Sequence, residues 1–419
     1  MRGNPNKDKI TSSFVKPKIA NYYILIFVFI AIIMLITFLY KLASDPTGLQ
    51  MRVFFSDGKD FMADFINVAR YANFPNPYLA EGIAPAELAY FPFVYWIMRF
   101  FAGLCGYGVE GISPNVCILI SGLVMNFAAM LLFFQLYKLF FGRRISKTIL
   151  LFIILFSSIF LFSYERGNLT LISAVLVLFY LCNYKSKSKI LRELSFVALA
   201  MAVALKGYPG IFVLLLVYEK KFIEALRACL YSAVLLLVPF LFFEGGFSNL
   251  PIMLNNLGIS TNDYRMGSFK RFGLGYIVRD VLKIGIAPGS VDTLKFYENI
   301  TKVLTLLSII VAPFLQNRWK TIAIIACVLV MLPINSAFYN GLYLLPAMVM
   351  FFNETDKINP RNLMTWVYCI IFMFIITPLQ LSEVSLYIPN MCGFILWIIL
   401  LFDGLMCIEK LLSKRWKAE

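Results

Sequence analysis

Three aspartates lie close together early in the chain. Asp57, Asp60 and Asp64 all fall in the stretch SDGKDFMADF. Carboxylates at this spacing could accept a proton from a substrate, hold a cation or cap a helix. Asp60 and Asp64 are four residues apart, which places them on one face of a helix. Asp57 precedes that helix, and a solvated side chain or an N-cap explains it equally well.

The aspartates need a helix to hold them. The apolar residues of DFMADFINVARYANF recur at spacings of four, three and four, and they are Phe61, Phe65, Val68 and Ala72. This period predicts an amphipathic helix that lies along the membrane surface. The Asn-Pro pair that follows disfavours helix and should end it.

A charged turn separates two apolar runs further along the chain. Glu165 and Arg166 of YERGN stand between the runs 149–162 and 169–181. Charges in so tight a hairpin cost stability unless they pair or face a cavity. A salt-bridged turn in which Gly167 takes a positive φ is the simpler alternative.

Lys206 closes another apolar run, FVALAMAVAL, and Gly-Tyr-Pro follows it directly. These three residues should break the helix and leave backbone N–H groups beside an ammonium. A broken helix end with a cation suits a phosphate near the membrane interface. A lysine that extends its ammonium toward water is the competing explanation.

The second half of the chain adds cations and neutral polar residues. The cations interrupt a loop on the side where basic residues are otherwise scarce, and they are Arg265, Lys270, Arg271 and Arg279. Such a cluster favours an anionic partner, a lipid phosphate or a diphosphate-linked acceptor. The neutral residues are of the types that line sugar pockets, although the tyrosines could also be membrane anchors, and they are Asn335, Tyr339, Asn340 and Tyr343.

The composition indicates that transmembrane helices position these residues. The chain has 419 residues, is 60% hydrophobic and 15% charged, and has a mean hydropathy of +0.79, which indicates a polytopic membrane protein. Apolar stretches of roughly 17 to 25 residues recur, each long enough to cross a bilayer as a helix. The net charge of +15 comes mostly from short loops. It indicates orientation by the positive-inside bias and no nucleic-acid partner.

Threading the basic loops to the cytoplasm predicts an all-α bundle of about 11–13 transmembrane helices in one domain, residues 1–419. Its soluble parts are a cytoplasmic arm at 1–19, a first external loop at 43–87 with the interfacial helix, a large external loop at 244–297 and a cytoplasmic tail at 407–419. The run 88–104 is too short for a comfortable span and is predicted to be re-entrant or interfacial. The run 208–219 is also short.

Cysteine and histidine usage limits the chemistry. The eight cysteines are scattered singly and form no CxxC pair, so they are expected to be small core residues. Histidine is absent from the sequence, which removes histidine acid–base catalysis and histidine metal ligands together.

These motifs together resemble those of the GT-C glycosyltransferases, most closely family 87, which uses polyprenyl-phosphate-mannose. The resemblance covers roughly the first half of the chain. The matching elements are Gly58 to Phe61 for the loop aspartate, the NPY at 76–78, Tyr90 to Phe93 with one proline fewer, Glu165 to Asn168, and Lys206, Tyr208 and Pro209.

The resemblance implies a GT-C fold and an inverting transfer of a hexose, mannose or glucose, from a polyprenyl-phosphate donor. The acceptor would be a glycan or glycolipid at the external face of a bacterial inner membrane. Asp60 would be the general base, with Asp64 the second choice, and Lys206, Arg166 and Tyr208 would hold the donor phosphate. The implied sugar and acceptor residues are Glu165, Asn168, Arg265, Arg271, Asn335, Tyr339 and Asn340. No metal is required, although a divalent ion held by the acids is possible.

Two other activities compete with this interpretation. A lipid-linked oligosaccharide polymerase or ligase would use diphosphate-linked donors and would depend on the basic cluster at 265–279 more than on Asp60. A flippase or transporter would place unpaired charges at mid-bilayer in broken helices, often in two similar halves. The sequence contains no convincing internal repeat.

Overall fold

The structure is a computed structural model. It describes residues 32, 36, 61–107, 116–141, 145–155, 157–266, 272–278, 291–334, 336–354, 362–376 and 387–416. The structure is 84% helical, and no strand occurs in the described ranges. The predicted all-α class is therefore confirmed.

The α-helices are numbered here in chain order. They are α1 Ala63–Ala72, α2 Pro92–Leu104, α3 Val116–Phe141, α4 Ile145–Leu155, α5 Ser158–Arg166, α6 Thr170–Asn183, α7 Lys189–Lys206, α8 Leu214–Tyr218, α9 Phe222–Leu237, α10 Asn249–Met266, α11 Leu274–Tyr276, α12 Val291–Val311, α13 Arg318–Met331, α14 Leu345–Glu354, α15 Leu363–Ile376 and α16 Tyr387–Trp416. Short 3₁₀ segments join several of them, at Pro85–Glu87, Tyr208–Val213, Val238–Phe242, Gly246–Ser248, Ala312–Phe314 and Phe338–Leu344.

Four of the described helical stretches are long and apolar enough to cross a membrane. They are Val116–Lys138, Phe222–Phe242, Leu294–Phe314 and Ile388–Ser413. At most 33% of each is buried inside the protein, so most of their apolar surface faces outward. Outward-facing apolar helices of this length indicate a membrane-embedded protein. The total of 11–13 spans stays a prediction.

The buried apolar residues form two clusters. The larger one packs α5, α6 and α7 against α13 to α16, with the indoles of Trp319 and Trp397 fully enclosed. The smaller one joins α1 and α2 to the loop at 78–88 and to Phe240. Residues Leu169, Ala204 and Leu205 belong to the smaller cluster, so α6 and α7 anchor it to the bundle.

Two antiparallel helices define two faces of the protein. Helix α6 leads from Arg166 and its turn to Lys185, and α7 leads back to Lys206. Arg166 and Lys206 therefore lie at one end of the pair, called the site face here, and Lys185 lies at the opposite face. Serine caps begin α5 and α7, because Ser157 and Ser188 each accept a backbone N–H of the first turn.

Helix α1 confirms the predicted helical period but not its simple amphipathic form. Phe65, Val68 and Ala72 are buried as expected. The helix begins only at Ala63, after Met62 with φ 57°, so Phe61 precedes it and is 38% exposed, and the predicted start of the helix before Phe61 was wrong. Six of the ten residues of α1 are buried, against α2, α3 and α5. Protein therefore covers this helix on more sides than a helix lying on a membrane surface requires.

The cysteine prediction was wrong at two positions. Cys105, just after α2, forms a disulfide with Cys117 in the first turn of α3. Spacing of 12 residues gave no motif, and the two cysteines meet where α2 and α3 are in contact. Helix α2 has only 13 residues, and its start also meets the site face, where the Phe91 ring approaches Gly207.

Candidate functional site

A cavity of about 860 Å³ opens at the site face, between α1, α5, α7 and α10. This volume is in the range of small-molecule sites. Its lining combines charges of both signs with aromatic rings. The polar and aromatic lining residues are Asp64, Asn67, Tyr71, Glu87, Tyr90, Phe91, Arg166, Lys206, Tyr208, Ser260, Thr261, Asp263 and Tyr339.

Asp64 and Arg166 form an ion pair at one end of the cavity. The Arg166 guanidinium donates to Asp64 Oδ1 from Nη2 at 2.6 Å and from Nε at 3.2 Å. Asn168 Nδ2 donates to the other oxygen, Oδ2. The Asp64 side chain is 14% exposed, so water screens this pair only weakly. Both carboxylate oxygens are thus engaged by protein donors.

The turn at 165–169 is built to hold this pair. Gly167 has φ 63°, and a Cβ there would lie 3.0 Å from both Met62 and Phe65, so the backbone and the packing both require glycine. Asn168 Oδ1 accepts from the backbone N–H and the hydroxyl of Thr170. The amide group of Asn168 therefore turns its NH₂ toward Asp64. The alternative of a salt-bridged turn at YERGN is confirmed, with Asp64 as the partner.

Lys206 stands apart from this pair on the cavity wall. It is the last residue of α7, and Gly207 with φ 71° ends the helix, followed by the 3₁₀ segment Tyr208–Val213, as the sequence predicts. Its ammonium lies 5.7 Å and 5.5 Å from the ring centres of Tyr90 and Tyr339. Among the described residues, no carboxylate is within 4.0 Å of it.

Burial lowers the pKa of Lys206 to about 8, and the charge of Asp64 acts in the opposite direction without outweighing it. Lys206 lies outside the four membrane-crossing stretches. The ammonium is therefore mostly charged near pH 7, but it binds its proton less tightly than a lysine in water does. A cation in this state gains from an anionic ligand, which would replace its lost hydration.

Tyr208 and Tyr343 connect the cavity floor to the core. The Tyr208 hydroxyl donates to Asn340 Oδ1 at 3.0 Å, and Asn340 Nδ2 donates to Ser336 Oγ. The Tyr343 hydroxyl donates to Ser173 at 2.7 Å. Asn340 is fully buried, so its amide orients Tyr208 from below and does not line the cavity.

The outer wall of the cavity is formed by the loop 76–91 and α10, and sequence reasoning missed its acids. Buried Asn256 donates to the backbone carbonyls of Tyr78 and Leu88, which fixes the loop against α10. Glu87 and Asp263 line this wall, and the Tyr71 hydroxyl donates to Glu87 Oε2. Neither acid belongs to a motif, and only the Asn-Pro-Tyr before Glu87 hinted at a folded loop.

The predicted site residues divide into three groups. Asp64, Arg166, Lys206, Tyr208 and Tyr339 meet at the cavity, and Asn168 contacts Asp64 from behind. Glu165 and Asn340 are fully buried away from the cavity lining. Outside the described residues lie Asp60, Arg271, Asn335 and the side chain of Arg265.

Neither a metal-ligand cluster among the described residues nor a matching known protein helps to interpret this cavity. Within the described ranges, no three Cys, Asp or Glu side chains converge as a metal site would require. No protein family, curated protein or solved structure matches this chain. The fold and the cavity define the class as an all-α membrane protein with a charged, aromatic-lined site at one face.

Proposed function

We propose that this protein is a membrane glycosyltransferase of GT-C type. It would transfer a hexose, mannose or glucose, from a polyprenyl-phosphate donor to a glycan or glycolipid. The donor lipid is confined to the bilayer, which explains why the cavity belongs to a protein made mostly of apolar helices. Membrane lipids and the acceptor are its other partners in this proposal.

The environment of the Lys206 ammonium supports the proposal most strongly. Its ammonium faces the cavity beside two tyrosine rings, and no carboxylate of the described residues lies within 4.0 Å of it. The leaving phosphate gains negative charge as the glycosidic bond breaks, so a fixed cation stabilises the transition state more than the ground state. Tyr208 and Tyr339 beside it offer the hydroxyl groups and ring faces that sugars bind.

The reaction follows from this arrangement in one displacement. An acceptor hydroxyl attacks the anomeric carbon, and the bond from that carbon to the phosphate oxygen breaks. The electron pair stays on the phosphate, and a base takes the hydroxyl proton. Lys206 neutralises the phosphate, and Arg166 contributes N–H groups from an orientation fixed by Asp64. The resemblance implies Asp60 as the base, and Asp60 lies outside the described residues.

The disulfide supports an external orientation of the cavity. Disulfides persist in oxidising compartments and are rare in the bacterial cytosol. Cys105–Cys117 lies at the site face, because Gly122 in the second turn of α3 contacts Met62 and Phe65 beside Gly167. A periplasmic site face agrees with the basic loops, such as 185–192, at the other end of the bundle.

The test is transfer of radiolabelled sugar by purified protein in liposomes. Synthetic polyprenyl-phosphate-mannose and polyprenyl-phosphate-glucose would be supplied separately with membrane glycolipid acceptors, with and without a chelator. Transfer from one donor, lost in Asp60→Asn or Lys206→Gln, would support the proposal. No transfer from either donor, with acceptors shown to be present, would overturn it and favour a polymerase that uses diphosphate-linked donors.

A further inference from the structure

Asp64 lies on the wrong side of the cavity for a base. In a single displacement, the base and the leaving group act on opposite faces of the anomeric carbon. Asp64 contacts Arg166 at 2.6 Å and belongs to the wall that carries the cations. Arg166 and Asn168 already engage both of its oxygens. Asp64 is therefore suited to position Arg166 rather than to take a proton.

Helix α1 runs along the cavity, so its length gives the approximate distance between the two walls. Its lining residues Asp64, Asn67, Val68 and Tyr71 follow one helical stripe. Asp64 and Tyr71 are seven positions apart, which is about 10 Å along the helix axis. The Tyr71 hydroxyl donates to Glu87. A carboxylate thus stands near the end of α1 opposite Arg166, with the cavity between them, and the Arg70 charge acts on the Tyr71 hydroxyl that donates to it.

Glu87 has the environment that a base requires. It is exposed to the cavity and accepts one hydrogen bond, from Tyr71, while no cation within 4.0 Å neutralises it in the described structure. Tyr71 is 4% exposed, and burial together with Glu87 raises its pKa, so its hydroxyl remains a donor. Asn256 holds the next residue, Leu88, by its carbonyl, which fixes the backbone that carries Glu87.

We infer that Glu87 is the general base of the proposed transfer and that Tyr71 positions it. This inference rests on the proposed function. One Glu87 oxygen takes the proton of the acceptor hydroxyl as that oxygen bonds to the anomeric carbon. The donor bond breaks on the side of Lys206, and its electron pair leaves with the phosphate. Atoms and charge balance without a further reactant.

The experiment compares Glu87→Gln, Asp60→Asn and Tyr71→Phe with the wild type. Turnover is measured by transfer of labelled hexose, and donor affinity is measured separately by fluorescence titration with polyprenyl phosphate. We expect Glu87→Gln to lower kcat by about 10²-fold or more with donor affinity within twofold. Tyr71→Phe should lower kcat several-fold and move the acidic limb of the pH profile, which a purely structural role would leave in place.

The outcomes separate the two proposals. A Glu87→Gln variant that keeps at least a third of wild-type kcat, while Asp60→Asn loses turnover, would overturn the role of Glu87 and leave the glycosyltransferase standing. A wild type that transfers from neither donor would overturn both. Because Glu87 is exposed and glutamine has the same shape, the variant should fold, and unchanged polyprenyl-phosphate affinity will verify it.

Discussion

Two charged clusters on opposite faces of this protein are built differently. At the opposite face, Glu219 accepts from Lys221 at 2.8 Å and from Tyr184 at 2.8 Å, and it pairs with Lys185 at 2.5 Å. At the site face, Asp64 is saturated in the same way by Arg166 and Asn168, but Lys206 has tyrosine rings beside it and no carboxylate of the described residues within 4.0 Å.

The difference separates charges that are compensated within the fold from a buried charge that has no carboxylate within 4.0 Å among the described residues. Burial raises the pKa of Glu219, but its hydrogen bonds from Lys185, Lys221 and Tyr184 outweigh burial and lower the pKa overall. Burial also dominates at Lys206, and there no contact reverses it. A cluster that is already compensated gains little from an anion, whereas Lys206 gains much.

Removing Lys206 should have the largest effect. We expect Lys206→Gln to reduce transfer by about 10²- to 10³-fold, because a fixed charge at the leaving phosphate is lost. Thermal stability in detergent should be unchanged or higher, since a buried ammonium that lacks a partner destabilises the fold. Transfer kinetics and a thermal melt measure the two effects.

Lys185→Gln is the matched control for this change, because Lys185 pairs with Glu219 at the other face. It should keep transfer within about twofold, as expected of a half-exposed ion pair. Equal losses in the two variants would erase the distinction between the clusters.

Breaking the saturated pair at the site face should have the next largest effect. Asp64→Asn keeps the shape but leaves the Arg166 guanidinium without its carboxylate, so we expect about tenfold to 10²-fold lower donor affinity and a lower melting temperature. Asp403→Asn serves as the control, since Asp403 pairs with Lys320 away from the cavity. That variant should lose stability with unchanged donor KM. A change in donor KM there would argue against a local role for Asp64.

The pH dependence should distinguish Lys206 from ordinary lysines. With a pKa near 8, Lys206 loses its proton as the pH rises from 7 to 9, so donor affinity should fall by about tenfold at pH 9. The folding stability of the ligand-free protein changes with pH in the opposite direction to the donor affinity. Between about pH 8 and 10.5 only the unfolded lysine keeps its proton, so stability rises with pH. Titration of polyprenyl phosphate at each pH tests this, and a flat profile would refute it.

The disulfide should give the smallest effect on activity. Cys105→Ser with Cys117→Ser should lower the free energy of unfolding by about 2–3 kcal/mol with transfer within about twofold, because the bridge closes a short loop. In intact cells, after reduction, a maleimide that does not cross membranes should label Cys105 and Cys117 but not Cys182, at the end of α6 near the opposite face. Labelling of Cys182 alone would show that the site face is cytoplasmic and would refute the proposed orientation.

Several parts of this structure were predictable because they depend on local sequence. The apolar periods gave the helical class, Gly167 gave its positive φ, and Gly-Tyr-Pro ended α7 at Lys206. The disulfide was missed because 12 residues of spacing carry no motif, and the two sulfurs meet only through the contact of α2 with α3. Glu87 was missed for a similar reason, since its partner Tyr71 is 16 residues away and Asn256, which holds the neighbouring carbonyl of Leu88, is further still.

The sequence by itself determined that the protein is helical, apolar and marked by a cation at a broken helix end. These features follow from composition and from dihedral preferences, which act over a few residues. Only the tertiary structure decided which charged side chains form ion pairs and which face the cavity. Asp64 is paired because α1 packs beside the turn at 165–169, and Lys206 faces a cavity because Asn256 holds the loop that carries Glu87 against α10. Pairing between distant residues depends on packing, which no local pattern encodes.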